Sequence, residues 1–150
     1  MTDQQLQKLA QGILQGQRRD LAQAITAVET DESAADTLLS ILPTVAGGFR
    51  LGLTGAPGVG KSTFISRVVP KLVDSGLKVA ILAVDPTSPL TGGALLGDRA
   101  RMVQDMGDAC WFRSLASRGA TNGVAGCTDL AAEILARAGF DIILIETVGV

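Results

Sequence analysis

Gly55-Ala56-Pro57-Gly58-Val59-Gly60-Lys61-Ser62 is the stretch whose reading decides the fold. Its glycines let the backbone curl until successive N–H groups point inward and form an anion nest. A helix starting at Lys61 would aim the positive end of its dipole at the same point. Lys61 then brings a full charge to the outer phosphates of a nucleoside triphosphate, and the Ser62 hydroxyl can ligate Mg²⁺. Thr63, the next residue, is assigned to the same binding set.

A loop of this kind works only between a strand and a helix, and the flanking sequence predicts both. Arg50–Thr54 reads as a short strand and Lys61–Ser75 as a helix closed by Gly76, with Pro70 expected to kink it. Lys78–Val84 is a continuous apolar strand, as in a sheet covered on both faces. The turn-rich loop Asp85–Gly97 leads to a helix from Asp98 to about Met106, and Cys110–Arg113 reads as a third strand. A Gly/Ser/Asn loop and a helix through Asp129–Ala138 lead past Gly139 to a fourth strand, Asp141–Thr147. This alternation predicts an α/β fold with a parallel sheet and right-handed crossovers.

Upstream the period changes to that of helices. Leu6, Leu9, Ile13 and Leu14 recur at helical spacing, and Asp20 would cap a second set, Leu21, Ala24, Ile25 and Val28. Ser33 would cap a third helix, with Ala35, Leu38, Leu39 and Leu42 on one face before Pro43 stops it. Gly47-Gly48 reads as a hinge. The expected organisation is a helical prefix, residues 1–48, packed on a nucleotide-binding domain, residues 49–150. The sequence stops at Glu146-Thr147-Val148-Gly149-Val150, just as a buried strand ends, so a domain cut short on its C-terminal side is expected.

Bulk properties exclude several classes. At 150 residues a single globule buries roughly 70% of its unfolded surface. A hydrophobic fraction of 47% excludes a disordered chain. No apolar run approaches the roughly 20 residues that span a bilayer, and Met1–Ala10 lacks the apolar stretch of a signal peptide. A cytoplasmic protein without a membrane partner is expected. A net charge of −2 provides no basic field for nucleic acid. With no His, Ser-His-Asp and Cys-His chemistry are excluded, and Cys110 and Cys127 read as reduced thiols.

Acidic residues at strand ends are the remaining candidates. Asp85 closes an apolar strand and so emerges at the carboxyl edge of the sheet, where such folds bind ligands. It is either a metal-site acid or a turn-starting Asp, and Asp98 is either a second such acid or a helix cap. Arg101, one helical turn on, either faces the phosphates or is a solvated charge. Ile142–Glu146 is an aliphatic run ending in an acid, with Gly149 three residues later. Switch-type nucleotide hydrolases end a buried strand in this way, the acid holding Mg²⁺ and the glycine amide meeting the γ-phosphate. Trp111-Phe112-Arg113 reads as core strand in preference to a base-stacking platform.

Three stretches together, Gly55–Phe64, Val84–Met102 and Phe140–Val150, resemble the MeaB/ArgK family of P-loop GTPases, the G-protein chaperones of adenosylcobalamin-dependent methylmalonyl-CoA mutase. The most specific is Asp85-Pro86-Thr87-Ser88-Pro89-Leu90-Thr91-Gly92-Gly93, which follows the second strand. The resemblance implies a parallel-sheet P-loop NTPase of the signal-recognition and MinD class with an N-terminal helical prefix. It implies that Asp85, Asp98 and Glu146 surround Mg²⁺ with Ser62, that Arg101 lies near the phosphates, and that Lys61 and Glu146 serve catalysis. The function it implies is GTP hydrolysis gating cobalamin delivery to, and protection of, an acyl-CoA mutase, with homodimers in the full-length family. Family members continue into Gly-Gln-Ser-Glu, an Asn-Lys-x-Asp base-reading motif and a dimerisation arm, which this sequence does not contain. Ser114–Gly123 departs from the family's Pro-Ser-Ser-Gly-rich loop, and Pro70 departs from its first helix. Two alternatives stay open. One is a small P-loop kinase, for which Arg99, Arg101, Arg113 and Arg118 would have to form the lid; the other is a non-catalytic nucleotide-binding fragment.

Overall fold

The aliphatic runs Val79–Asp85 and Ile142–Thr147 form the two central strands of a four-stranded parallel sheet. In the computed structural model, which describes residues 1–56, 58–85, 100–116 and 123–147, the strands are β1 (Phe49–Leu53), β2 (Val79–Asp85), β3 (Cys110–Ala116) and β4 (Ile142–Thr147). Their order is β1-β4-β2-β3. Central strands of a parallel sheet are covered on both faces, which is why Val79, Ala80, Ile81 and Leu82 are consecutive, apolar and fully buried.

Helices cover both faces. The chain runs through α1 (Asp3–Leu14), α2 (Arg18–Thr30), α3 (Ala34–Ile41), α4 (Lys61–Asp74), α5 (described over residues 100–106) and α6 (Gly123–Arg137). One face carries a large core in which Leu38, Ile25 and Val28 of the prefix meet Ile134 and Leu135 of α6 and Leu82, Leu115 and Ile143 of the sheet. The opposite face carries a smaller core of Ile65, Val69, Val79, Ile81, Cys110 and Leu144, flanked by half-buried Met102, Val103 and Met106. Three guanidiniums join the prefix to the strands and α6. Arg113 of β3 pairs with Glu29 at 2.5 Å and donates to Thr26 Oγ1 at 2.8 Å. Arg137 of α6 donates to the α3 carbonyl of Leu39 at 2.8 Å. Arg18 of α2 donates to the carbonyl of Cys110 at 2.5 Å.

Some local expectations shift. Asp20 is not the cap of α2: the cap is Gln17, and Asp20 sits in the first turn. Leu14 is 53% exposed, because α1 turns Leu6, Leu9, Ala10 and Ile13 inward instead. Ser33 precedes α3 but makes no capping bond; its hydroxyl donates to Asp31 Oδ1 at 2.7 Å. That bond and the Ser33 amide hold the Asp31 carboxyl below its ordinary pKa. Gly48 does more than bend the chain. A Cβ there would lie 2.3 Å from Ala136 Cβ, so the glycine lets the backbone pass close to α6. β1 is one residue earlier than expected, β3 extends to Ala116, and α6 begins at Gly123 rather than Asp129. α4 runs through Pro70 from Lys61 to Asp74. Trp111 packs in the core at 6.5 Å from the Phe140 ring, as expected of a core strand.

Candidate phosphate site

β1 delivers the chain to the glycine-rich turn and α4 carries it away, so the loop sits at the carboxyl edge of the sheet. Gly55, Gly58 and Gly60 take φ of +147°, +81° and +99°, backbone states that residues with a Cβ rarely adopt. Gly60 is the left-handed N-cap of α4 and makes no side-chain cap. The first amides of α4 therefore have no capping side chain competing for them, as an anion site requires. Val59 closes the turn through a 3.4 Å bond from its amide to Ala56 O.

Lys61 is folded back over this loop. Its ammonium donates to Ala56 O at 3.1 Å and to Gly55 O, which holds the charge at the mouth of the turn. These two carbonyls were not legible as partners of Lys61, since no side-chain pattern encodes a backbone acceptor. Ser62 follows it in the first turn, half-buried, and Thr63 is exposed beside it.

Parallel register brings in the acid. Glu146 of β4 stands opposite Leu53 of β1, the last strand residue before the loop, and opposite Ala83 of β2. Asp85 lies two residues beyond Ala83 at the end of β2, paired by its backbone with Ala116. Leu53, Glu146 and Asp85 are thus neighbours on one edge. The side chain of Asp85, together with Pro57, Asp98 and Gly149, lies outside the described residues. Arg101 is exposed on α5.

A hard dication fits what is present. Ser62 and Glu146 offer only oxygen, and Mg²⁺ takes one or two protein ligands while phosphate oxygens and water complete its shell. Among the described residues no three His, Cys, Asp or Glu side chains form a metal cluster. Both thiols are free, and burial pushes each up to about 11. Among the described residues no helix is long and apolar enough to cross a membrane.

Comparison with known proteins gives consistent matches. The family model described as "Methylmalonyl Co-A mutase-associated GTPase MeaB" matches residues 21–150. The Escherichia coli protein named GTPase ArgK is 42% identical over 143 residues, covering 91% of this chain and 43% of that protein. The mouse protein named methylmalonic aciduria type A homolog, mitochondrial, is 38% identical, covering 95% of this chain and 38% of that protein. A crystal structure of a LAO/AO transport system kinase superposes with a TM-score of 0.74 at 34% identity, covering all of this chain and 45% of the other. The chain spans a little under half the length of the relatives it matches. The solved relative also bears out the parallel-sheet α/β fold with helices at the N-terminus.

Proposed function

The chain belongs to the MeaB family of methylmalonyl-CoA mutase-associated GTPases, and from that premise we propose that it binds Mg²⁺-GTP and forms the phosphate-holding part of a GTPase that gates cobalamin loading and protection of an acyl-CoA mutase. The observation that carries the reading is the register of Glu146 against Leu53, which sets a carboxylate beside the turn that holds Lys61 and Ser62. Phosphoryl transfer needs positioning and charge stabilisation more than covalent chemistry, and this edge offers both. The amides of Gly60 and Lys61 orient the β-phosphate side. Lys61 exchanges its bonds to Gly55 O and Ala56 O for the outer phosphates, a swap of carbonyl acceptors for charged ones. Ser62 and Glu146 would hold Mg²⁺ directly, with Asp85 and Asp98 reaching it through its bound waters. Bound there, the ion would neutralise charge developing between the β- and γ-phosphates. Arg101, Thr63 and Gly149 complete the proposed contacts to nucleotide. In this reading the protein acts in the cytoplasm, and residues 1–48 are a prefix to the nucleotide-binding unit.

Calorimetric titration with GTP, with and without Mg²⁺, tests the site. Mg²⁺ should tighten triphosphate binding by about tenfold or more, and Glu146→Gln should remove most of that gain. An unchanged Mg²⁺ dependence in the variant rejects the metal role of Glu146. For the gating role, cobalamin loading of methylmalonyl-CoA mutase is followed with the chain in its GTP and GDP states. Equal loading rates in the two states reject a chaperone function.

One observation favours a kinase: the name of the solved relative. Radiolabelled γ-phosphate separates the two readings. Label released as inorganic phosphate supports hydrolysis, and label retained on a protein or metabolite acceptor supports the kinase.

A further inference from the structure

Arg18 is the first residue of α2, where a cation opposes that helix's dipole. Its partners explain the placement. Nη1 donates to Gly107 O at 2.6 Å and Nη2 to Cys110 O at 2.5 Å, two charge-assisted bonds to carbonyls about ninety residues away in sequence. Asp108, 3.5 Å away and 95% exposed, adds little. The two carbonyls bracket the 3₁₀ turn Gly107–Ala109 that joins α5 to β3. Gly107 directly follows the last turn of α5, so the guanidinium sits at the negative end of the α5 dipole.

Among the described residues, α5 is otherwise held through half-buried side chains. Met102, Val103 and Met106 flank the small core that Ile65 and Val69 of α4 also enter. α4 carries Lys61 and Ser62 at its start, and α5 carries Arg101. One prefix side chain therefore pins the end of a helix that shares its core with the phosphate-binding helix.

We propose that Arg18 is a positioning residue: by clamping the α5–β3 junction it fixes the pose of α5, and thereby of Arg101, relative to the triphosphate. The inference rests on the phosphate-site reading above. It makes the prefix part of the nucleotide response, since any state of the nucleotide that prefers one pose of α5 must be felt equally at α2. Arg18 is not needed to keep the prefix folded onto the sheet. That attachment has the large core, the Arg113–Glu29 pair and the Arg137 bonds to α3.

The test uses the whole chain with Arg18→Ala, Arg18→Lys, Arg101→Ala and the Arg18→Ala/Arg101→Ala double variant. Affinities for a non-hydrolysable GTP analogue and for GDP are measured with Mg²⁺, and hydrogen exchange is followed over residues 100–106. Arg18→Ala should weaken the triphosphate analogue by about tenfold and GDP by less than about twofold, and speed exchange in α5 but not in α4. Arg18→Lys should recover only part, because an ammonium cannot span two carbonyls as a planar fork does. The double variant should bind no worse than Arg101→Ala alone. Additive losses, equal losses for both nucleotides, or unchanged exchange in α5 would each overturn the proposal. A parent chain that binds no nucleotide removes the phosphate-site reading itself, which a failed cycle on a binding-competent parent does not.

Discussion

The two faces of the sheet are built to different densities. Against one lies α6, with α2 and α3 packed on it and α1 packed on α2 and α3, and with Ala24, Ile25, Val28, Ala35 and Leu38 of the prefix all fully buried. Against the other lie α4 and α5, and α4 contributes only Ile65 and Val69 as buried residues. The phosphate loop opens from the thin side. Stability and ligand chemistry are thereby separated: the thick face keeps the fold intact, while the thin face can respond to ligand without unfolding the rest.

The largest effect expected from this contrast is on stability. Ile25 is enclosed by several prefix helices and α6, so Ile25→Ala leaves a cavity that cannot collapse and should cost about 4 kcal/mol. Ile65 is equally buried but bordered by half-buried neighbours that can relax, so Ile65→Ala should cost nearer to about 2 kcal/mol. Denaturant melts of the two variants decide it, and equal losses would mean that the faces are equally packed.

Next in size is the ligand. Lys61 is part of no core cluster and bonds only to loop carbonyls among the described contacts. Lys61→Ala should therefore weaken GTP by about a hundredfold, roughly 3 kcal/mol, while the melting curve stays close to the parent's. A variant that binds GTP like the parent would sink the assignment of this loop to phosphate. A variant that melts early would show the lysine bracing the thin face.

The same contrast decides what could be read from sequence. The phosphate loop was legible because its determinants are local: positive φ at Gly55, Gly58 and Gly60, and a helix beginning at Lys61. The buried strands were legible because Val79–Leu82 and Ile142–Ile145 are unbroken aliphatic runs. The start of α6 was not, because Gly123 and Gly126 read as loop. Gly126 is instead a close-approach position, where a Cβ would lie 3.0 Å from the Glu32 carboxylate. The contacts of Arg18, Arg113 and Arg137 were equally hidden, since their acceptors lie far away in sequence and many are backbone carbonyls. Glu146 was found as a strand-ending acid, but its position opposite Leu53 follows only from β4 inserting between β1 and β2. Asp85, Asp98 and Gly149 were named from sequence, and the side chain of Asp85 and the whole of Asp98 and Gly149 lie outside the described residues.

The two cysteines put the contrast to its finest test, because one lies on each face. Cys110 is fully buried in the thin core beside Ile65 and Val69, and Cys127 is half-buried on α6 against the thick one. Burial raises both thiols to about 11; Arg18 opposes this at Cys110, whereas Glu29 and Glu32 reinforce it at Cys127. A raised thiol pKa means that the folded state holds the proton more tightly than the unfolded chain does. The resulting stability is complete below about pH 9 and is lost as pH rises through about 11. At pH 8 the thiolate fraction of either group is then on the order of one in a thousand, and alkylation of Cys110 further requires the thin face to open. Nucleotide bound to that face suppresses its opening by mass action. With Mg²⁺-GTP at ten times its Kd, iodoacetamide should modify Cys110 about tenfold more slowly, while the Cys127 rate stays within about 1.5-fold. Peptide mapping of the alkylated chain at several time points resolves the two rates. Equal protection of both thiols would show that the faces open as a single cooperative unit, and the separation of stability from ligand response would then fail.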